Sequence, residues 1–169
     1  MMTRRQILVG SSGGLAAGAA WAFAPTWNVS APGAGGDLAL FLFDRSVHGA
    51  LLPGRALARR GVAVRSFHGD VGVPWLEVLE PMWRRGPRPV AGITDGGALF
   101  CLEQLAWRHG MACALRLALP VARSGRSEDA ADMLLRAAGQ PPGSGLRPST
   151  DMARGPVAWL FQPVGGNGR

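Results

Sequence analysis

Six consecutive apolar residues, Leu38-Ala39-Leu40-Phe41-Leu42-Phe43, constrain this chain more than any other stretch. No polar position interrupts them, so a strand built from them must be covered on both faces. The residues that follow supply the cover in alternation. Ser46 is positioned to cap a helix whose inner side holds Leu51, Leu57 and Ala58, and which Pro53 and Gly54 shorten or kink. Arg59 and Arg60 suit the end of that helix, and Gly61 terminates it. Residues 62–67 read as a second strand. Pro74 opens a second helix with an apolar stripe of Trp75, Val78, Leu79, Met82 and Trp83, interrupted at Pro81.

Residues 89–93 read as a third strand. Asp95-Gly96-Gly97 leads into a helix over 98–109, with Ala98, Cys101, Leu102, Leu105 and His109 inward, closed by Gly110. Residues 111–119 give a fourth strand. Strand and helix in strict alternation imply crossovers and a parallel sheet. Residues 37–122 are therefore expected to form a small doubly wound α/β domain of the flavodoxin or Rossmann kind, with a mainly parallel sheet of about four strands. Residues 123–169 read as a less regular C-terminal extension: a helix over 127–138, a Pro/Gly/Ser-rich loop over 140–155, an edge strand over 156–161 and a tail.

Ligands of open parallel sheets bind beyond the carboxyl ends of the strands. Those ends carry Asp44, Arg45, Ser46 and His48 after the first strand, His68 and Asp70 after the second, and Thr94, Asp95, Gly96 and Gly97 after the third. Three chemistries are open to this rim. Asp44, His68, Asp70 and Asp95 are types that bind divalent metals, although no metal-site spacing supports it and no metal is expected. His68 beside a carboxylate suits acid–base work. The N–H groups of Gly96 and Gly97 suit an anion, unless Asp95 merely caps the helix. On the helix over 98–109, Phe100 and Trp107 fall on the outer side. Either the C-terminal segment covers them or they form a protein contact.

The beginning of the chain has a different character. Arg4 and Arg5 precede an apolar stretch from Ile7 to Ala24, diluted by Gly and Ser. Thr3-Arg4-Arg5-Gln6-Ile7-Leu8 resembles the twin-arginine signal read by the Tat translocase, departing from it at Ile7, where Phe is commoner, and at Val9, where Lys is common. The resemblance covers this segment alone. It implies residues 1–24 as a signal and a periplasmic location; residues 25–36, Pro-Thr-Trp-Asn-Val-Ser-Ala-Pro-Gly-Ala-Gly-Gly, read as a linker. An uncleaved signal would instead tether the protein to the membrane, although a spanning helix needs roughly 20 strongly apolar residues.

Arginine supplies all 18 basic residues against 11 acids, for a formal charge of +7. The arginines are scattered along the chain, so no nucleic-acid partner is expected. Without lysine there is no Walker loop and no Schiff base, and no G-x-S-x-G elbow is present. Cys101 and Cys113 form no C-x-x-C, which excludes the common iron–sulfur and covalent haem motifs. On the expected topology they lie at opposite ends of a crossover and stay unpaired. No cofactor motif is visible. The leading expectation is an exported accessory or binding protein, associated with an exported oxidoreductase. The alternatives are a small periplasmic enzyme or anion binder using the rim, and a membrane-tethered scaffold.

Overall fold

The computed structural model describes residues 37–119, 127–141 and 155–164. The twin-arginine segment with Arg4 and Arg5, the linker over 25–36 and most of the loop over 140–155 lie outside the described residues. Among those described, no helix is long and apolar enough to cross a membrane.

The protein is mixed α/β, with one five-stranded sheet. Its strands are β1 (Leu40–Asp44), β2 (Val64–Phe67), β3 (Val90–Thr94), β4 (Met111–Ala118) and β5 (Val157–Pro163), in spatial order β2-β1-β3-β5-β4. β1 pairs in parallel with β2 and β3, as the alternation predicts. The expectation of a mainly parallel sheet with β5 at its edge is corrected here. β5 lies between β3 and β4 and is antiparallel to both. The reason is burial. Val157-Ala158-Trp159-Leu160-Phe161 is as uninterrupted an apolar run as β1, and each of the five residues is almost wholly enclosed. An edge position would leave that run with an unpaired backbone.

Helices cover both faces. On one face α1 (Leu51–Arg59) and α5 (Ser127–Ala138) pack on Phe41, Phe43, Ile93 and Leu160. On the other, a segmented helix and α4 (Gly96–Trp107) cover Leu40, Leu42, Trp159 and Phe161. The segmented helix consists of α2 (Gly72–Pro74), a π-helical stretch (Trp75–Leu79) and α3 (Glu80–Arg85). The break anticipated at Pro81 takes the form of this π turn, in which the Glu80 N–H bonds to the Trp75 carbonyl five residues back. Proline has no N–H to offer the ladder, and a local change of register accommodates it.

Two helix faces differ from the sequence reading. In α1 the buried residues are Pro53, Gly54, Ala56 and Leu57, while Leu51 and Ala58 are exposed. Gly54 allows the approach, since a Cβ there would stand 3.1 Å from the Phe43 ring. Ser46 does not cap α1: Ala50 occupies the N-cap position, without a side-chain cap, and Ser46 lies four residues earlier in the turn held by Asp44. In α4 the buried residues are Ala98, Leu99, Leu102 and Ala106, and Cys101 faces solvent. Gly97 to Leu102 is apolar all round, so periodicity alone does not fix its rotation.

Period-2 alternation along β5 sends Ala158, Leu160 and Gln162 to the α1/α5 face. Gln162 is 3% exposed, and its Nε2 donates to the carbonyls of Ala137 (3.1 Å) and Gln140 (3.0 Å) at the end of α5. It thereby serves carbonyls that the helix cannot satisfy itself. Gln162→Leu should lower stability by about 2 kcal/mol, because buried carbonyls lose their donor. Urea unfolding should show a lower midpoint with an unchanged slope.

The arginines scattered in sequence converge in space. Because β1, β2 and β3 run the same way, the helices between them all end at the pole where those strands begin. That pole collects Arg59 from α1, Arg84 and Arg85 from α3 and Arg88 ahead of β3; Arg108 joins them after α4, because β4 runs the same way as β3, and Arg136 joins them because Gln162, beside the start of β4, holds the end of α5. Each sits where a cation complements a helix C-terminus or flanks one. Arg60 reaches Asp132 across α1 and α5, and Arg116 pairs with Glu103 across β4 and α4.

Candidate functional site

The opposite pole carries the rim anticipated from sequence. β1 and β3 are neighbours, yet the chain leaves β1 for α1 on one face and leaves β3 for α4 on the other. Their carboxyl ends therefore flank the topological switch point of the sheet, where α/β proteins place ligands. Asp44 ends β1 and is fully buried, as is Thr94 at the end of β3. Arg45, His48, His68, Asp70 and Asp95 are exposed around them.

The acids of the rim already hold the backbone. Asp44 Oδ1 accepts the N–H of Ser46 (2.8 Å) and of Gly69 (3.2 Å), tying the loop after β1 to the loop after β2. Its Oδ2 is buried with no hydrogen-bond partner among the described residues. Asp70 Oδ1 accepts the Gly72 N–H (2.7 Å) at the entry to α2. Asp95 is the N-cap of α4, with Oδ1 on the Ala98 N–H (2.7 Å). Gly96 and Gly97 form the first turn of that helix, and the Asp95 carboxylate lies over it. A negative charge at that position competes with an anion for the same N–H groups. The Thr94 hydroxyl donates to the Asp95 carbonyl (2.9 Å) and accepts the Trp159 indole N–H (3.1 Å), so it closes the core under the rim. Among the described residues, no three of His, Cys, Asp and Glu gather closely enough to hold a metal ion.

Burial disfavours the charge on Asp44. The N–H groups of Ser46 and Gly69, the Ser46 hydroxyl and the nearby His68 outweigh it, and hold the carboxyl below its ordinary value. A depressed native pKa stabilises the fold above the unfolded carboxyl's pKa of about 4, and that contribution is lost as pH falls through the native value. Stability followed by urea unfolding should therefore decline more steeply below about pH 4 in the natural protein than in Asp44→Asn. Equal slopes would show that Asp44 carries no such linkage.

Both cysteines are free thiols. Cys113 on β4 is pushed up to about 12 by burial and by the charge of Glu103, and its Sγ contacts the Leu115 carbonyl at 3.2 Å. It is an inert core group. Cys101 stands exposed on α4 beside Phe100. Phe100 is 51% and Trp107 71% exposed, so no described part of the C-terminal segment covers them. They share the outer face of α4 at a spacing of two turns. Val73 and Leu76, on the segmented helix of the same layer, are likewise exposed.

The rim residues were legible because strand ends can be read from a sequence. Their occupation by backbone N–H groups was not, except at Asp95, where an acid ahead of a helix signals a cap. The underpinning of Thr94 by Trp159 was missed, since it depends on where β5 enters the sheet. Compared with family models, curated proteins and solved structures, the chain gives no match.

Proposed function

We propose that this chain is an exported accessory protein of the periplasm that works by docking to a protein partner rather than by catalysis. The twin-arginine resemblance of residues 1–24 supports the export route, and association with an exported oxidoreductase is the form of partnership it suggests. One observation carries the docking reading. Asp44, Asp70 and Asp95 each accept backbone N–H groups at turns and caps, while the outer face of α4 offers Phe100 and Trp107 to solvent. Acids so engaged serve the fold, and exposed aromatics are the residues that anchor interfaces.

Cys101 provides the test. It lies within the α4 surface, and Cys113 is too basic and too enclosed to compete for a label. A photo-crosslinker placed on Cys101 should capture one defined protein from a periplasmic extract, and Phe100→Ser should abolish the capture. A small molecule retained in native mass spectrometry and lost in Asp95→Ala, with no crosslinked partner, would favour the rival reading of a rim-based binder or small enzyme.

A further inference from the structure

The arginine pole has a composition that the accessory reading does not use. On the face of α3 and α4 it presents Arg84, Arg85, Arg88 and Arg108. Arg84 pairs with Glu80 at 2.7 Å, whereas Arg85, Arg88 and Arg108 form no ion pair among the described residues. The acids of the segmented helix and α4 are Glu77, Glu80 and Glu103, of which Glu80 pairs with Arg84 and Glu103 with Arg116, and Asp37 lies just ahead of β1. Trp107, the last residue of α4, stands 71% exposed beside Arg108. Val164 is 49% exposed, and its N–H bonds to the Gly110 carbonyl, which places it at the same pole. The backbone beneath is fixed, because the Trp83 indole N–H holds the Arg88 carbonyl at 3.0 Å.

We propose that this pole docks on a bilayer surface carrying anionic phospholipid. The arginines attract the phosphate layer, and Trp107 with Val164 enters the headgroup region, where an indole is at home. Helix dipoles account for cations at helix ends, but not for an exposed tryptophan and valine set among them. A nucleic acid fits less well. The arginines come from the ends of separate elements around a blunt pole, and none lies along a helix that can enter a groove. In the docked state the rim points away from the membrane. Phe100, two turns back along α4, remains clear of the lipid for the proposed partner. Trp107 is common to the two readings, and on the membrane it serves the bilayer while Phe100 alone is left to the partner; the tests use different residues, Phe100 and Cys101 for the partner and the arginines with Trp107 for the lipid.

The test is sedimentation of the full chain with phosphatidylcholine vesicles, with and without phosphatidylglycerol. Binding is expected only with the anionic lipid, and is expected to fall as salt is added. At about fivefold per arginine near the surface, the triple variant Arg84→Gln/Arg85→Gln/Arg108→Gln should bind about a hundredfold more weakly. These side chains are exposed, so the fold should be retained, and an unchanged circular dichroism spectrum checks this. The variant keeps the natural N-terminus, so any attachment through residues 1–24 is common to both proteins. Tryptophan emission should shift to the blue on binding, and Trp107→Ala should remove the shift. Equal binding to neutral vesicles would overturn the proposal. So would binding unaffected by the triple variant, or binding to a DNA duplex at salt that releases the vesicles.

Discussion

Gly92→Ala should leave little or no folded protein. A Cβ at this position would lie 2.2 Å from the Trp159 ring and 2.3 Å from the Leu42 carbonyl oxygen, far inside contact distance. Neither neighbour has room to move. Trp159 is completely enclosed and its indole N–H is held by Thr94, while Leu42 is the residue opposite Gly92 on β1. Overpacking usually costs about 1–3 kcal/mol, and a double clash against a ring and a backbone belongs above that range, at about 4 kcal/mol or more. For a domain of this size that is a large share of the total stability. Soluble yield and the urea midpoint are the measurements. Combining Gly92→Ala with Trp159→Leu should recover only part of the loss, because the carbonyl clash remains. A Gly92→Ala protein with a natural midpoint would show that β1 and β3 are further apart than described.

Ending the chain at Gly155 should have an equally severe effect. It removes β5, which pairs with β3 on one side and β4 on the other. It also removes Trp159 and Phe161 from one core, Leu160 from the other, and the Gln162 side chain from the end of α5. The expected product gives no cooperative urea transition and exposes β3 and β4 as open edges. Had the final strand been an edge, as its place in the sequence suggested, the same cut would leave a weakened but folded domain. The experiment therefore separates the two topologies directly.

That contrast shows where reading from sequence succeeds. The apolar run of β1, the helix-capping Asp95 and the alternation through β4 each have local causes, and the structure contains them. Strand order is not local. The run from Val157 to Phe161 announces burial on both faces, but nothing in it says that β3 and β4 will part to receive it. The arginines are the same kind of case. Arg59, Arg85 and Arg108 are far apart in sequence and meet at one pole because parallel strands return each helix to the same side. The rotation of α4 was obscured for a third reason, since a helix start apolar on every side carries no direction. The rim was placed correctly at the strand ends. Its chemistry could be judged only once the hydrogen bonds of Asp44 and Asp70 were known.

The position of β5 also has a consequence in time. It is the last of the described strands to leave the ribosome, yet it lies between β3 and β4 inside the sheet. While residues 40–118 are already available, β3 and β4 have no neighbour to join them, and the nascent chain must wait with both strands unsatisfied. Such long-range closure makes folding slow and leaves the intermediate prone to aggregate, which is where chaperones act. Completion of the sheet is thus postponed until residues 157–163 have been synthesised. An exporter that passed only folded cargo would in effect be inspecting whether β5 has arrived.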